Sequence, residues 1–455
     1  MREYNYILNA QDPKIIAQIL RDTQLPTQIN LYNRFERTIL IAKELRDNKS
    51  VTALDINNYG KSIEHTRVIC EILKHNKIIT QLSIYDKEDE FECTKVLCEA
   101  IKSNTTIKQI RINWLGVKEN SMSECFKALA EALNINGVIT ELDLGYSQIK
   151  YENFKIIFEI LRTNKTLLKL DLNFKEINYE GAEVLTKVLK TNKALKELVL
   201  GFNKIGYEGA KAIAEAIRVN KILTHLDLQL NDLGVKGAKV LGRALKINRT
   251  LRCLNLSNNE LRVEGAKAIT DALRVNTTLK KLDLSYNHLE HEGAIVIADV
   301  LMTNRGIEYL NLESNSIEDE GTKIIAKVLA NNKTLLELHL RGNHIKDEGA
   351  EAIAKVIKLN KKLTHLFLGG NFIENEGAQA IGNSLKLNKV LLVLDLNHNQ
   401  IENEGAQAIC EALIVNNKLI ELDLENNKYT YAVNDILEEA EKKNKKLRFN
   451  HDSFL

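Results

Sequence analysis

The chain has only two prolines, one tryptophan and six cysteines among 455 residues, and aromatic residues make up just 5% of it. So little proline, with 44% hydrophobic and 27% charged residues, excludes proline-rich or low-complexity disorder and predicts order almost throughout. The cysteines stand at 70, 93, 98, 125, 253 and 410, without CxxC pairs or alternation with histidine, so neither a zinc site nor a disulfide framework is expected. No run approaches the roughly 20 apolar residues of a membrane span, and the stretch Met1 to Leu8 lacks the apolar core of a secretory signal, so the expected location is cytoplasmic, away from membranes. Phosphate-binding glycine loops and nucleophile motifs are absent too, and no enzyme activity, metal or cofactor is expected.

What the chain does have is a repeat. The pattern L-x-x-L-x-L starts at Leu167 and recurs every 28 residues to Leu419, with weaker copies from Val51, Ile79, Ile107 and Ile139 and one 32-residue step between the last two. Alternating apolar residues such as Leu338 and Leu340 predict a short strand with one buried face. Eight residues after each start stands asparagine, from Asn203 to Asn427, suited to bonding the backbone where the chain leaves the strand. The second half of each unit, for example Ala350, Ile353, Ala354 and Ile357, has the spacing of an amphipathic helix, and Glu-Gly-Ala marks its start. A further asparagine three residues before each start, from Asn48 to Asn444, predicts a left-handed helix terminator. Six of these asparagines fall in N-x-S/T triplets, which the fixed position explains without glycosylation.

No unit can bury its strand face and helix stripe alone, so the units must stack. Strands sit about 4.8 Å apart and packed helices about 8 to 10 Å, which predicts an α/β solenoid curved into a horseshoe, parallel sheet on the concave face and helices on the convex one. The expected divisions are an N-terminal cap and degenerate first repeat over residues 1–50, the array over 51–432 (irregular over 51–166, regular over 167–432) and a C-terminal cap over 433–455. A helix is expected at 12–21, a strand at Ile29 and Leu31, and a helix from Val433 to Lys443.

LxxLxLxxN followed by EGAxxIAxxL at a 28-residue period resembles the ribonuclease-inhibitor class of leucine-rich repeats, over roughly residues 26 to 450. The resemblance implies a protein-binding scaffold or inhibitor rather than a catalyst. Similar arrays occur in NACHT-receptor tails, in Ran GTPase-activating protein and in proteins that intracellular bacteria inject into hosts. A GTPase-activating protein and an effector acting in a host cytoplasm are therefore the alternatives, the latter in keeping with a lysine, asparagine and isoleucine bias typical of AT-rich genomes. No catalytic arginine or asparagine motif of the Ran regulator is matched here.

Two surface features stand out from the repeat. Positions two, four, six and seven after each start are expected on or beside the concave face, and over the strands from Ile139 to Leu419 they hold twelve acids against Lys169, Lys281 and Arg341. Glu141, Asp143, Asp171, Asp227, Asp283, Asp395 and Asp423 are the candidates, and a face this acidic favours a protein partner with a basic surface and disfavours nucleic acid. At the seventh position Trp114, Tyr146, Phe174 and Phe202 follow one another, the expected aromatic rim of a binding site on a monomer, beside the extra residues of the 32-residue unit. The alternative for the rings is packing beneath the loops, and for the acids a solvated or internally paired face. His339, His365 and His398 lie on successive strands at different offsets and need not converge.

Overall fold

The computed structural model describes residues 28–450 other than 33–34, 58–62, 87–90, 115–118, 146–150 and 431–432. The helix expected at 12–21 and the candidate Tyr146 fall outside the described residues, as does the side chain of Trp114. The chain forms two compact units, Met1–Ile205 and Gly206–Leu455.

In the first unit the strands are β1 (Gln28–Tyr32), β2 (Ala53–Asn57), β3 (Gln81–Asp86), β4 (Gln109–Trp114), β5 (Glu141–Asp143), β6 (Lys169–Asp171) and β7 (Glu197–Val199). They pair in chain order, all parallel. In the second unit β8 (His225–Asp227), β9 (Cys253–Asn255), β10 (Lys281–Asp283), β11 (Tyr309–Asn311), β12 (Glu337–His339), β13 (His365–Phe367), β14 (Val393–Asp395), β15 (Glu421–Asp423) and β16 (Arg448–Asn450) do the same. Each of β1 to β15 is followed by a helix, and the register repeats the sequence period, as in Leu282↔Leu310 and Leu310↔Leu338. Equivalent residues therefore stand in rows across the strands. The central leucine of each three-residue strand from β5 to β15 is buried and its neighbours are half-buried or exposed, except that Asn311 and Asp395 are themselves buried. The 32-residue step leaves the register intact (Arg111↔Asp143) and appears in the helix Glu119–Ile135, which has 17 residues where Tyr151–Thr163 has 13. Its buried Leu129, Leu133 and Ala132 align with the ends of the other helices, so the extra residues form an added first turn, about 6 Å long.

Strands of three residues pair few backbone groups, and asparagines on both sides complete the accounting. On the exit side Asn315, 1% exposed, donates from Nδ2 to the carbonyls of Leu284 (2.9 Å), Leu312 (3.1 Å) and Glu313 (3.1 Å), while its Oδ1 accepts from Asn287 N at 2.9 Å. On the entry side Asn276 donates to the carbonyls of Leu245 and Asn248 in the preceding repeat and accepts from Thr278 N and Leu279 N. Here one expectation is corrected. The entry asparagines are not left-handed: Asn192 has φ −65° and ψ 136°, and Asn304 and Asn360 are equally extended. The side chain does the terminating, because its amide reaches both the last helical carbonyls of one repeat and the first strand amides of the next. The asparagines of the N-x-S/T triplets at Asn104, Asn248, Asn276 and Asn332 are buried in this role.

Helix starts are joined across repeats as well. Asp319 Oδ1 accepts from Lys346 N (2.8 Å) and Gly349 N (2.9 Å), so a residue in the first turn of one helix caps the next. Asp347 and Asn375 repeat the contact. Glycine in the Glu-Gly-Ala signature admits the preceding helix: a Cβ at Gly377 would lie 2.7 Å from Ala350 Cβ. Burial pushes the thiols of Cys70, Cys98 and Cys410 up to about 12, so they pack as small protonated hydrophobes. The strand over 28–32 and the C-terminal helix, Asn434–Lys443, lie where the repeat reading put them.

The exit asparagines carry the testable consequence. Asn315→Ala takes one donor from three carbonyls that each keep another (from Asn287, Asn343 and Tyr286 N) and leaves the buried Asn287 amide without its acceptor, and should lower unfolding stability by about 1 to 3 kcal/mol. Urea titration followed by circular dichroism checks it; a loss under about 0.5 kcal/mol, the size of an ordinary surface substitution, would make the ladder incidental.

Candidate functional site

In the first unit the seventh position brings Phe174 and Phe202 together, ring centroids 4.1 Å apart and planes 17° from parallel. Both rings are half-buried, neither sunk in the core nor free. Both residues also have positive φ, 57° and 56°. Every described residue at this offset from Phe174 to Asn426 does, and Phe174 N donates to Gly201 O at 3.2 Å, continuing the strand ladder through the turn. The turn geometry thus demands a left-handed residue, which Gly342 and Gly370 supply without strain and Asn258 and Asn426 at little cost. A phenylalanine there costs about 1 kcal/mol.

Around the pair stand groups that burial disturbs. Lys175 occupies the asparagine-ladder position and is 2% exposed; burial pushes its ammonium down to about 7, against the pull of Asp143 and Asp171. Burial likewise raises the Asp171 carboxyl, opposed by the amide of Asn173. Lys169 pairs with Glu197 at 2.5 Å, and Arg111 Nε donates to Asp143 Oδ2 at 2.6 Å.

The acidic row divides into two kinds of carboxylate oxygen. In Asp143, Asp171, Asp227, Asp283, Asp395 and Asp423, Oδ1 accepts the amide two residues on, at 2.8 to 3.0 Å. Asn255 and Asn311 do the same with an amide oxygen, so this turn needs an acceptor and no charge. Several second oxygens are engaged as well: Asn255 donates to Asp227 Oδ2 at 3.1 Å and Asn311 to Asp283 Oδ2 at 2.9 Å. The candidates are therefore partly structural, and the face is less freely acidic than its composition.

In the second unit the structure brings together residues that the sequence reading did not. Tyr309, His339 and Phe367 form a row over β11, β12 and β13, with centroids 5.1 Å apart for the first pair and 4.1 Å for the second, the latter stacked at 10°. Lys281 Nζ lies 5.5 Å from the Tyr309 centroid, and His339 Nε2 is 2.8 Å from Glu337. Strand register puts Asp395 directly opposite Phe367. The signal lay in rings at the second and fourth offsets of three successive repeats. The other two histidines go elsewhere, His365 to Thr364 Oγ1 and His398 to Asn426. Among the described residues no helix is long and apolar enough to cross a membrane.

Stacked strand-plus-helix repeats with an uncovered sheet face define an α/β repeat protein. The Leucine Rich repeat family matches eight times, at residues 191–214, 219–242, 248–269, 275–298, 303–326, 331–354, 359–382 and 387–410. The chain thus carries eight leucine-rich repeats between residues 191 and 410. Solved structures similar to it include an internalin of Listeria monocytogenes (18% identity, 78% of this chain and 88% of that one, TM-score 0.45). The yeast Rad7 and Elc1 complex is similar at 14% identity over 85% and 88%, with a TM-score of 0.47. The actin-binding site 2 of leiomodin-1 is similar at 24% over 29% and 81%, with a TM-score of 0.25. No curated protein matches the chain.

Asp395 offers a test with a defined sign. Burial pushes its carboxyl up to about 6, only partly countered by the Asn397 amide, Arg341 and His339. Raised above the unfolded value, such a group costs stability above pH 6, a cost that fades as pH falls toward 4. Asp395→Asn keeps the turn acceptor, as Asn311 does, and should gain about 1 to 2 kcal/mol at pH 7 and nothing near pH 4. Equal effects at both pH values would contradict this.

Proposed function

We propose that this leucine-rich-repeat chain is a non-catalytic scaffold or inhibitor that binds a protein with a basic surface, using the Phe174–Phe202 pair as its hydrophobic anchor. The carrying observation is the pair itself: two half-exposed stacked rings at an offset where the backbone favours glycine or asparagine. A core would not need them there, since the same turn at Ser314, Gly342 and Gly370 closes without a ring. Aromatic anchors among charges are what protein interfaces concentrate their binding energy in. Asp143, Asp171 and Glu197 supply the negative surroundings in the first unit, and Asp227, Asp283 and Asp423 in the second. Trp114 and Tyr146 belong to the same proposal through their shared offset.

Affinity capture with the full chain identifies the partner, and Phe174→Ala with Phe202→Ala tests the anchor. Binding should fall at least tenfold, roughly 1.4 kcal/mol, with the melting temperature within about 3 °C of the parent. A large drop in melting temperature would instead make the rings packing residues. Association with that partner should slow as salt rises, and Asp171→Asn with Asp227→Asn should flatten the dependence while keeping both turn acceptors; a rate indifferent to salt removes the steering role.

A further inference from the structure

One flank of the second unit carries chemistry that stacking does not require. The strands of this unit are all parallel, so every turn from helix to strand opens on the same side, marked by the entry asparagines from Asn220 to Asn444. The five-residue windows centred on these asparagines hold seventeen lysines and arginines and no aspartate or glutamate. The opposite flank has the reverse sign: the five residues before each signature glycine from Gly237 to Gly405 hold fourteen acids against three bases. A chain of net charge +2 is thus strongly polarised from one side of this unit to the other.

Between the cations stand aliphatic tips. In six repeats the residue before the entry asparagine is Val219, Ile247, Val275, Leu359, Leu387 or Val415, each 48 to 57% exposed, and Met302 lies beside the row at 60%. The local order is basic, apolar, asparagine, basic, as in Lys246-Ile247-Asn248-Arg249 and Lys358-Leu359-Asn360-Lys361. Stacking does not need the tips, because Thr303 and Asn331 hold the same offset in repeats built alike. Cations in the last helical turn suit the helix C-terminus, but Lys361, Lys362 and Lys389 lie beyond it. Among the described residues only Arg274, Lys386, Lys442 and Lys443 of the seventeen pair with a carboxylate. With packed helices about 8 to 10 Å apart, the tips spread over a flank roughly 60 Å long.

We infer that this flank docks on an anionic phospholipid surface, its aliphatic tips entering the headgroup region and its lysines and arginines lying among the lipid anions. Buried apolar area and attraction to anionic lipid are the two terms that hold a peripheral protein to a bilayer, and both are present in the same short motif. A motif that recurs from repeat to repeat has no unique register, which suits a target that is itself repetitive and laterally fluid. Protein interfaces draw their energy from aromatic and arginine anchors and make little use of leucine and valine, and the row of tips contains no ring. Nucleic-acid phosphates would meet the cations and leave the apolar tips without a partner. The acidic flank is repelled by the same lipid, so the unit is oriented as well as held. Such a contact needs neither a spanning helix nor a secretory signal, the two features whose lack led to the expectation of a location away from membranes. It is independent of the protein-binding proposal, which concerns other residues.

Flotation of the full chain with vesicles tests the assignment, one set of phosphatidylcholine alone and one with about 30% phosphatidylserine. The mixed vesicles should hold the chain at least about tenfold more strongly, and less as salt rises. Lys361→Glu with Lys362→Glu should weaken that binding at least about tenfold. Leu359→Asn with Leu387→Asn should weaken it at least about threefold without any change of charge, at an offset where Asn331 already stands. Arg262→Glu with Lys346→Glu makes the same change in net charge on the acidic flank, where Glu290 and Glu318 hold the equivalent position, and should stay within about twofold of the parent. All six substituted side chains are exposed, so none of these results depends on a folding defect. No binding to the mixed vesicles, equal binding to both sets, or a loss in the acidic-flank variant as large as in the Lys361 and Lys362 variant would each overturn the proposal. Binding unchanged in the leucine variant would reduce the flank to a polyanion surface that an acidic protein or a nucleic acid could fill, and overturns the lipid assignment as well.

Discussion

Strands of three residues cannot hold a sheet together by their own ladder, and the bonds of the asparagine side chains make up the difference. A primary amide is the one small side chain that offers both two donors and an acceptor, so it can take carbonyls from one repeat while serving amides of its own or the preceding one. At the strand exit this is Asn231, Asn259, Asn287 and their successors; at the entry it is Asn220, Asn248, Asn276 and theirs. Aspartate would lack the donors, and alanine would leave buried amides such as that of Asn287 unmet at about 1 to 3 kcal/mol each. Side-chain caps from one helix to the next, such as Asp319 to Gly349, carry the same logic to the helical layer.

These bonds sort the uncovered face into what the fold uses and what it leaves over. The fourth-offset acids look alike in sequence, yet each contributes one oxygen to a turn that asparagine closes as well. Composition alone therefore overstates how much of the acidity is available to a partner. What remains is at most one oxygen per aspartate, and less where Arg111, Asn255, Asn311 and Asn397 donate to the second oxygen, as they do at Asp143, Asp227, Asp283 and Asp423.

The repeat, its register and its strand-plus-helix alternation were legible because the pattern that encodes them is periodic: Leu338 and Leu340 recur with Leu366 and Leu368, and no competing period fits. The entry asparagine was legible as a constant position and misread in mechanism, since a side-chain bond to another repeat leaves no trace in local sequence; Asn192 and its equivalents are extended. The aromatic pair was found because it departs from the period at a single offset. The Tyr309–His339–Phe367 row was not, because it crosses from the second offset to the fourth, and only parallel register makes those positions neighbours. How each aspartate divides its oxygens is likewise set by its neighbours across strands.

Two of the departures from the local rules lie beside aromatic rings. Near Phe174 a bulky residue takes a left-handed backbone, and the adjacent ladder position holds Lys175 rather than asparagine, with its ammonium pressed toward neutrality by burial. Near Phe367 a desolvated carboxylate stands where an amide would serve the turn, packed with Asn397 against Gly369, where a Cβ would collide with both. Gly342, Gly370, Asn258 and Asn426 close the first turn at lower cost, while Leu230, Tyr286 and His398 carry the same cost as the phenylalanines; Asn255 and Asn311 close the second without a charge. The proposed anchor therefore rests on the stacking of Phe174 on Phe202 and their half-burial, and not on backbone strain or on the acidic row as a whole.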